Sequence, residues 1–191
     1  MDQRPVVRSG PFWDVIEGRR PPVPAAATLG WSLSRIAPER GEIEVFFEAG
    51  DGFTNPMGHV QGGFLSAMLD DTMGPALVAT LPDGEFAVTL ELKVSFLRPA
   101  SPGRLAGTGR VVHRGGSIAF LAGELRDRAG QLVATATATA RIIRPDGARA
   151  GPAHADGAAA GAASAAAGPA SSAAGPASAD GAEAGGARPA G

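Results

Sequence analysis

The stretch NPMGHVQGGFLSAMLDDTMGPALVATL, residues 55–81, decides the fold. Its first seven positions hold Pro56, Gly58, His59 and Gln61, which is loop chemistry. From Gly62 the chain turns apolar for about twenty residues, too long for a strand, and reads as a helix despite Gly74 and Pro75. The run is apolar nearly all round, so the expected helix is buried on most sides. Asp70 and Asp71 interrupt it at the centre. Two adjacent carboxylates at a bilayer midplane would be costly, which argues against a membrane span.

Working outward, Pro82-Asp83-Gly84 breaks the helix, and residues 86–97 (FAVTLELKVSFL) alternate as a strand. Strands are expected at about 104–113, 117–127 and 131–143, with hairpin turns at Arg114-Gly115-Gly116 and Ala129-Gly130. The last is the clearest: Leu132, Ala134, Ala136, Ala138 and Ala140 share one face, and Val133, Thr135, Thr137 and Thr139 the other. Small alanines there would let a helix approach closely. Upstream, 28–36 and 42–48 read as two strands joined by APERG, and RRPPVP at 19–24 breaks regular structure. Residues 11–18 suggest a short helical turn anchored by Phe12 and Trp13. Two strands, one long helix, then four strands in antiparallel succession make an α+β domain in which a curved sheet of about six strands wraps a central helix.

From about Pro145 to Gly191 the composition shifts to Ala, Gly, Pro and Ser, with no Leu, Ile, Val, Phe or Trp. Such a segment cannot bury enough apolar surface to offset the entropy of ordering it. The expected organisation is therefore an N-terminal segment with a short helix at 1–27, a folded domain at 28–144 and a disordered tail at 145–191.

The chain has 191 residues, 44% of them hydrophobic and 19% charged, enough to fill one core. A net charge of −2 gives no field that would draw nucleic acid or an anionic membrane. Without cysteine there is no disulfide framework, thiolate zinc site or cysteine nucleophile. The N-terminus lacks the apolar core of a secretory signal, so a cytoplasmic protein is the expectation. No metal-ligand spacing joins His59, His113 and His154, and no cofactor is expected. Gly-x-Ser-x-Gly, dinucleotide and Walker patterns are all missing.

Gly62 and Gly63 fall where backbone amides at a helix N-terminus lack partners and the dipole end is positive. That is the geometry of an oxyanion site, although glycines also cap helices or allow close packing. A carboxylate inside an apolar helix must be hydrogen-bonded, solvent-facing or placed for acid/base or nucleophilic work. Asp70 and Asp71 point about 100° apart, so they do not share one environment.

The segment Asn55…Gly58…Gln61-Gly62-Gly63…Asp70 resembles the signature of the PaaI-like branch of the hotdog-fold thioesterases. In that family an Asn, a Gly and His-Gly-Gly open the central helix, and an acidic residue follows nine after the His. The strand VTLELKVSFLRPA at 88–100 and the later hairpin are similar to the family's second half, and the likeness covers about 28–143. It implies hydrolysis of an acyl-CoA thioester to free acid and CoA, with Asp70 as general base or nucleophile. Gly63, supported by Gly62, would polarise the carbonyl, and Asn55 and Gln61 would orient water or carbonyl.

Gln61 stands where many members have His, which leaves open whether Gln61 or His59 orients the water. Thr89 is a further candidate contact. Arg98, Arg110, Arg114 and the Gly115-Gly116 turn are the places for CoA phosphates. Phe64, Met68 and Met73 would line the acyl pocket. The resemblance further implies a homodimer or homotetramer with the site between subunits. A hotdog hydratase or dehydratase and a non-catalytic acyl-CoA-binding module are the competing readings, and the acyl group stays open.

Overall fold

Alternation in the strands and the single apolar helix resolve into one sheet with one helix across it. A computed structural model describes residues 8–144; the expected tail at 145–191 lies outside the described residues. Two short helices, α1 (Pro11–Ile16) and α2 (Pro24–Thr28), precede strands β1 (Ser32–Ala37) and β2 (Glu42–Ala49). The long helix α3 (Gly62–Val78) follows, then β3 (Phe86–Phe96), β4 (Gly103–Arg114), β5 (Ile118–Arg126) and β6 (Leu132–Ile143). This is the expected α+β architecture, a six-stranded antiparallel sheet around a central helix. No helix among the described residues is long and apolar enough to cross a membrane.

Three local expectations change. The Pro-rich run does not simply break structure: Pro24 begins α2, because proline at a first helical position has no N–H to waste and its φ is already helical. Consequently β1 starts at Ser32 rather than at residue 28. The strand order is β1-β2-β4-β5-β6-β3, so β3 is not followed by its neighbour but pairs with β6 at the far edge. The chain reaches that edge by way of α3, leaving β2 free to pair with β4.

Packing of α3 follows helical spacing. Leu65, Met68, Leu69, Thr72, Met73, Ala76 and Leu77 form one buried stripe at intervals of three and four. The expectation of burial on most sides fails here, since Gly63 and Ala67 on the opposite side are exposed and Asp70 and Gly74 half-buried. Glycines on β4 and β5 set how closely the stripe approaches the sheet. A Cβ on Gly109 would lie 2.8 Å from the backbone oxygen of Thr72, and one on Gly107 would lie 2.6 Å from the Thr72 hydroxyl. On Gly123 it would meet Met73 at 2.8 Å. The alanines of β6 are buried on the same face, but glycine allows the closest contact.

Pro75 sits inside α3 and cannot donate to the carbonyl four residues back, which belongs to Asp71. The indole nitrogen of Trp31 supplies that bond, donating to the Asp71 carbonyl at 3.0 Å. A proline that would otherwise leave an unmade bond is thereby accommodated.

Candidate active site

The loop before α3 is tied at several points. Asn55 Oδ1 accepts from the amides of Met57 (2.9 Å) and His59 (3.2 Å), and the Asn55 amide donates to the His59 carbonyl (2.7 Å). Gly58, at φ +78°, makes the reversal that this compact loop needs. The amide of Val60 donates to Ala100 and that of Gln61 to Phe53, each at 2.8 Å, so the loop is fixed to the β3–β4 connection and to the turn after β2, and delivers Gln61 as the residue before the helix. Asn55 therefore shapes the loop with its side-chain oxygen.

At the helix start the amides of Phe64 and Leu65 both donate to the Gln61 carbonyl, whereas those of Gly62 and Gly63 donate to no acceptor among the described residues. The two glycines differ. A Cβ on Gly62 would meet the tip of the Phe96 ring at 3.0–3.3 Å, while one on Gly63 would meet only its neighbour Gln61, whose Oε1 is 3.4 Å away. Gly62 thus serves close packing, and Gly63 is the open one. Their unpaired amides and the positive helix end favour an oxygen that gains negative charge.

Seven residues past Gly63, Asp70 returns to within about 20° of the same direction around the helix. Its Oδ1 accepts a 2.8 Å hydrogen bond from the Thr89 hydroxyl on β3. A β-bulge between Thr89 and Glu91 leaves Leu90 unpaired at this point, the kind of irregularity that re-aims a neighbouring side chain. Asp71 points to the other flank. Burial, and then the nearby Asp70 charge, raise its carboxyl from the ordinary 3.8 to about 6, and its Oδ2 is sealed from solvent without a partner. The two aspartates occupy separate environments, as their spacing required.

A cleft of about 360 Å³ opens beside the helix start, lined by Asn55, His59, Gly62, Phe96 and Arg98 among others. The ring nitrogen Nδ1 of His59 is buried there without a partner. Arg98 spends one N–H on the Leu132 carbonyl at 3.0 Å. A larger hollow of about 710 Å³ lies on the outer side of the sheet among Arg35, Lys93, Arg110 and Glu124, on the face turned away from α3.

The remaining residues singled out from sequence go elsewhere. Arg114 donates to the carbonyl (2.7 Å) and hydroxyl (2.9 Å) of Thr80, just past the C-terminal end of α3, where a cation complements the dipole. Gly115 belongs to the adjoining hairpin, its amide bonded to the Ile118 carbonyl at 2.8 Å. Eighteen residues of mostly helical rise, about 27 Å, separate Thr80 from Gly62, so one chain does not bring Arg114 or Gly115 to the helix start. Met68 and Met73 are fully buried core, and Phe64 stacks on Phe53 with ring centres 4.2 Å apart. Sequence reasoning missed Phe96. Its strand was expected, but nothing in the sequence indicated that the helix begins beside this residue. No group of three or more His, Asp or Glu side chains among the described residues could hold a metal ion.

The described geometry has known counterparts. The profile of the Thioesterase superfamily matches residues 57–134, from the loop to the start of β6. A crystal structure of a candidate thioesterase related to phenylacetic acid degradation from Ralstonia eutropha is 46% identical, with TM-score 0.65, and the match covers 68% of this chain and 98% of that one. A candidate esterase of Saccharolobus solfataricus is 32% identical over 106 residues, which span 56% of this chain and 75% of that protein. A Streptococcus mutans protein solved bound to acetyl CoA is 26% identical, with TM-score 0.55, over 60% of this chain and 89% of that one. By these matches the chain belongs to the thioesterase superfamily, in its PaaI-like hotdog branch, a family of acyl-thioester hydrolases.

Proposed function

We propose that this chain hydrolyses acyl-CoA thioesters at a site shared by two copies of itself. One observation carries the reading: along one side of α3 an unpaired amide at Gly63 is followed, two turns on, by the Asp70 carboxylate. About 10 Å of helix lies between them, whereas an oxyanion donor and a base must both come within roughly 3 Å of the reacting atoms. One chain cannot meet that demand. A second copy presenting its Asp70 to the first copy's Gly63 does.

The edge strand supports such pairing. β3 is an 11-residue strand with an open edge, and it exposes Phe86, Val88 and Leu90. A long apolar edge of this kind is a template for adding another strand, and a homodimer joined there would remove it. The acetyl CoA held by the Streptococcus mutans relative favours a CoA thioester as substrate.

In this reading the Gly63 amide polarises the thioester carbonyl. Asp70 takes a proton from water as the water oxygen attacks the carbonyl carbon; the carbon–sulfur bond then breaks, and the sulfur leaves as the CoA thiol with that proton. Attack by an Asp70 oxygen, followed by hydrolysis of the mixed anhydride, gives the same products. The Thr89 hydroxyl donates to one carboxylate oxygen, leaving the other to act. Gln61, beside Gly63, supplies an acceptor for the water, and Arg98 a cation for the substrate's negative groups.

Asp70→Asn tests the assignment. Thiol release from acyl-CoA should fall at least about a hundredfold, as for loss of a positioned base, with the fold retained by circular dichroism. Near-normal turnover would move the base elsewhere.

A further inference from the structure

The proposed reaction leaves unexplained why a large aromatic ring stands half in solvent beside the helix start. Phe96 is 53% exposed although it occupies an inward position of β3. Leu92 and Val94, the preceding inward positions, are partly covered and pack on the core. Phe96 comes level with the very start of α3, so its ring reaches Gly62, with three ring carbons 3.0–3.3 Å from where a Cβ would sit. It forms one wall of the 360 Å³ cleft, whose other apolar walls are Val60, Leu65, Leu97 and Pro99.

We infer that this cleft receives the acyl group and that Phe96 sets how large that group can be. The inference rests on the thioesterase reading. A carbonyl held on the Gly63 amide lies next to Gly62, and the adjoining apolar space on the β3 side is this cleft. Its apolar walls suit an acyl chain, and the polar groups of the same lining, Asn55, His59 and Arg98, are left for the thioester and the negative groups of CoA. The methionines that sequence alone suggested for this role are fully buried in the core. A strand added at the β3 edge pairs through its backbone, so the inward ring of Phe96 continues to face the cleft. On one chain the cleft is open to solvent and holds about 360 Å³, within the roughly 300–1,000 Å³ usual for ligand sites, so the Phe96 wall and not the volume limits the acyl group.

The test compares kcat/KM across straight-chain acyl-CoAs from acetyl to palmitoyl for the parent chain, Phe96→Ala and Phe96→Trp. Removing the ring should raise the ratio of long-chain to short-chain kcat/KM at least about tenfold, and Trp should lower it, since each methylene a pocket accepts or refuses is worth about 10–200-fold. If Phe96→Ala does not fold, Phe96→Leu should move the ratio in the same direction by less. Active variants whose ratio stays within about twofold of the parent would overturn the role of Phe96 while leaving the hydrolase reading intact. A parent chain that releases thiol from no acyl-CoA would overturn both.

Discussion

The two long sides of α3 obey opposite rules. Toward the sheet, Leu65, Leu69, Thr72, Met73 and Ala76 are buried, and β4 and β5 answer them with glycines at 107, 109 and 123, where a single added carbon would collide with the helix. On the other side are Gly63, Ala67, Asp70 and Gly74, small or charged and open to varying degrees. Glycine therefore has two meanings in this molecule. On the strands it brings helix and sheet together; at position 63 it keeps a backbone amide accessible. The packed side holds the domain in shape, and the open side carries the groups on which the proposed reaction rests.

This contrast can be broken from either direction. Leu90→Lys places a charge on the apolar β3 edge, and should convert a homodimer into monomers by light scattering while thiol release drops by at least about a hundredfold, the order of loss when catalytic groups are no longer held in position. A dimeric and active variant would show that the open side is completed in some other way. Gly109→Ala attacks the packed side. Because the obstacle is the Thr72 backbone and cannot rotate away, about 1–3 kcal/mol of stability should be lost in denaturant titrations, with little change in KM for the folded fraction.

The smallest effect sharpens the comparison by pH. The Asp71 carboxyl is raised from 3.8 to about 6, chiefly by burial and next by Asp70. Between those values the folded chain holds a proton that the unfolded chain has released, so this group's contribution to stability falls as pH rises from about 4 to 6 and stays low above that. Asp71→Asn should therefore raise the melting temperature relative to the parent more at pH 7.5 than at pH 4. An equal shift at both would mean that the carboxyl titrates normally.

Much of this was legible in the sequence because it is local. The alternation of β6, the breaker after α3 and the start of the helix at Gly62 all depend on neighbours in the chain. So does the divergence of Asp70 and Asp71, which is set by the helical repeat alone. What was not legible depends on distant partners. The alternating Leu105, Gly107, Gly109 and Val111 look like a weak strand until a helix is laid across them. No local signal says that β3 passes β5 to pair with β6, and that pairing is what places Thr89 opposite Asp70. Arg114 looked like a phosphate ligand because arginine beside a Gly-Gly turn suits one. Its bonds to Thr80 became visible only when β4 and the end of α3 came together.

The contact between Trp31 and the Asp71 carbonyl also gives the molecule an optical readout. The chain has two tryptophans and no tyrosine, so its near-ultraviolet emission comes from Trp13 and Trp31 alone. Trp31 holds the backbone one residue from Asp70, at the turn that Pro75 leaves short of a donor. With Trp13 replaced by Phe, the remaining indole becomes a native fluorophore that reports on this part of the helix as substrate arrives, with no label attached.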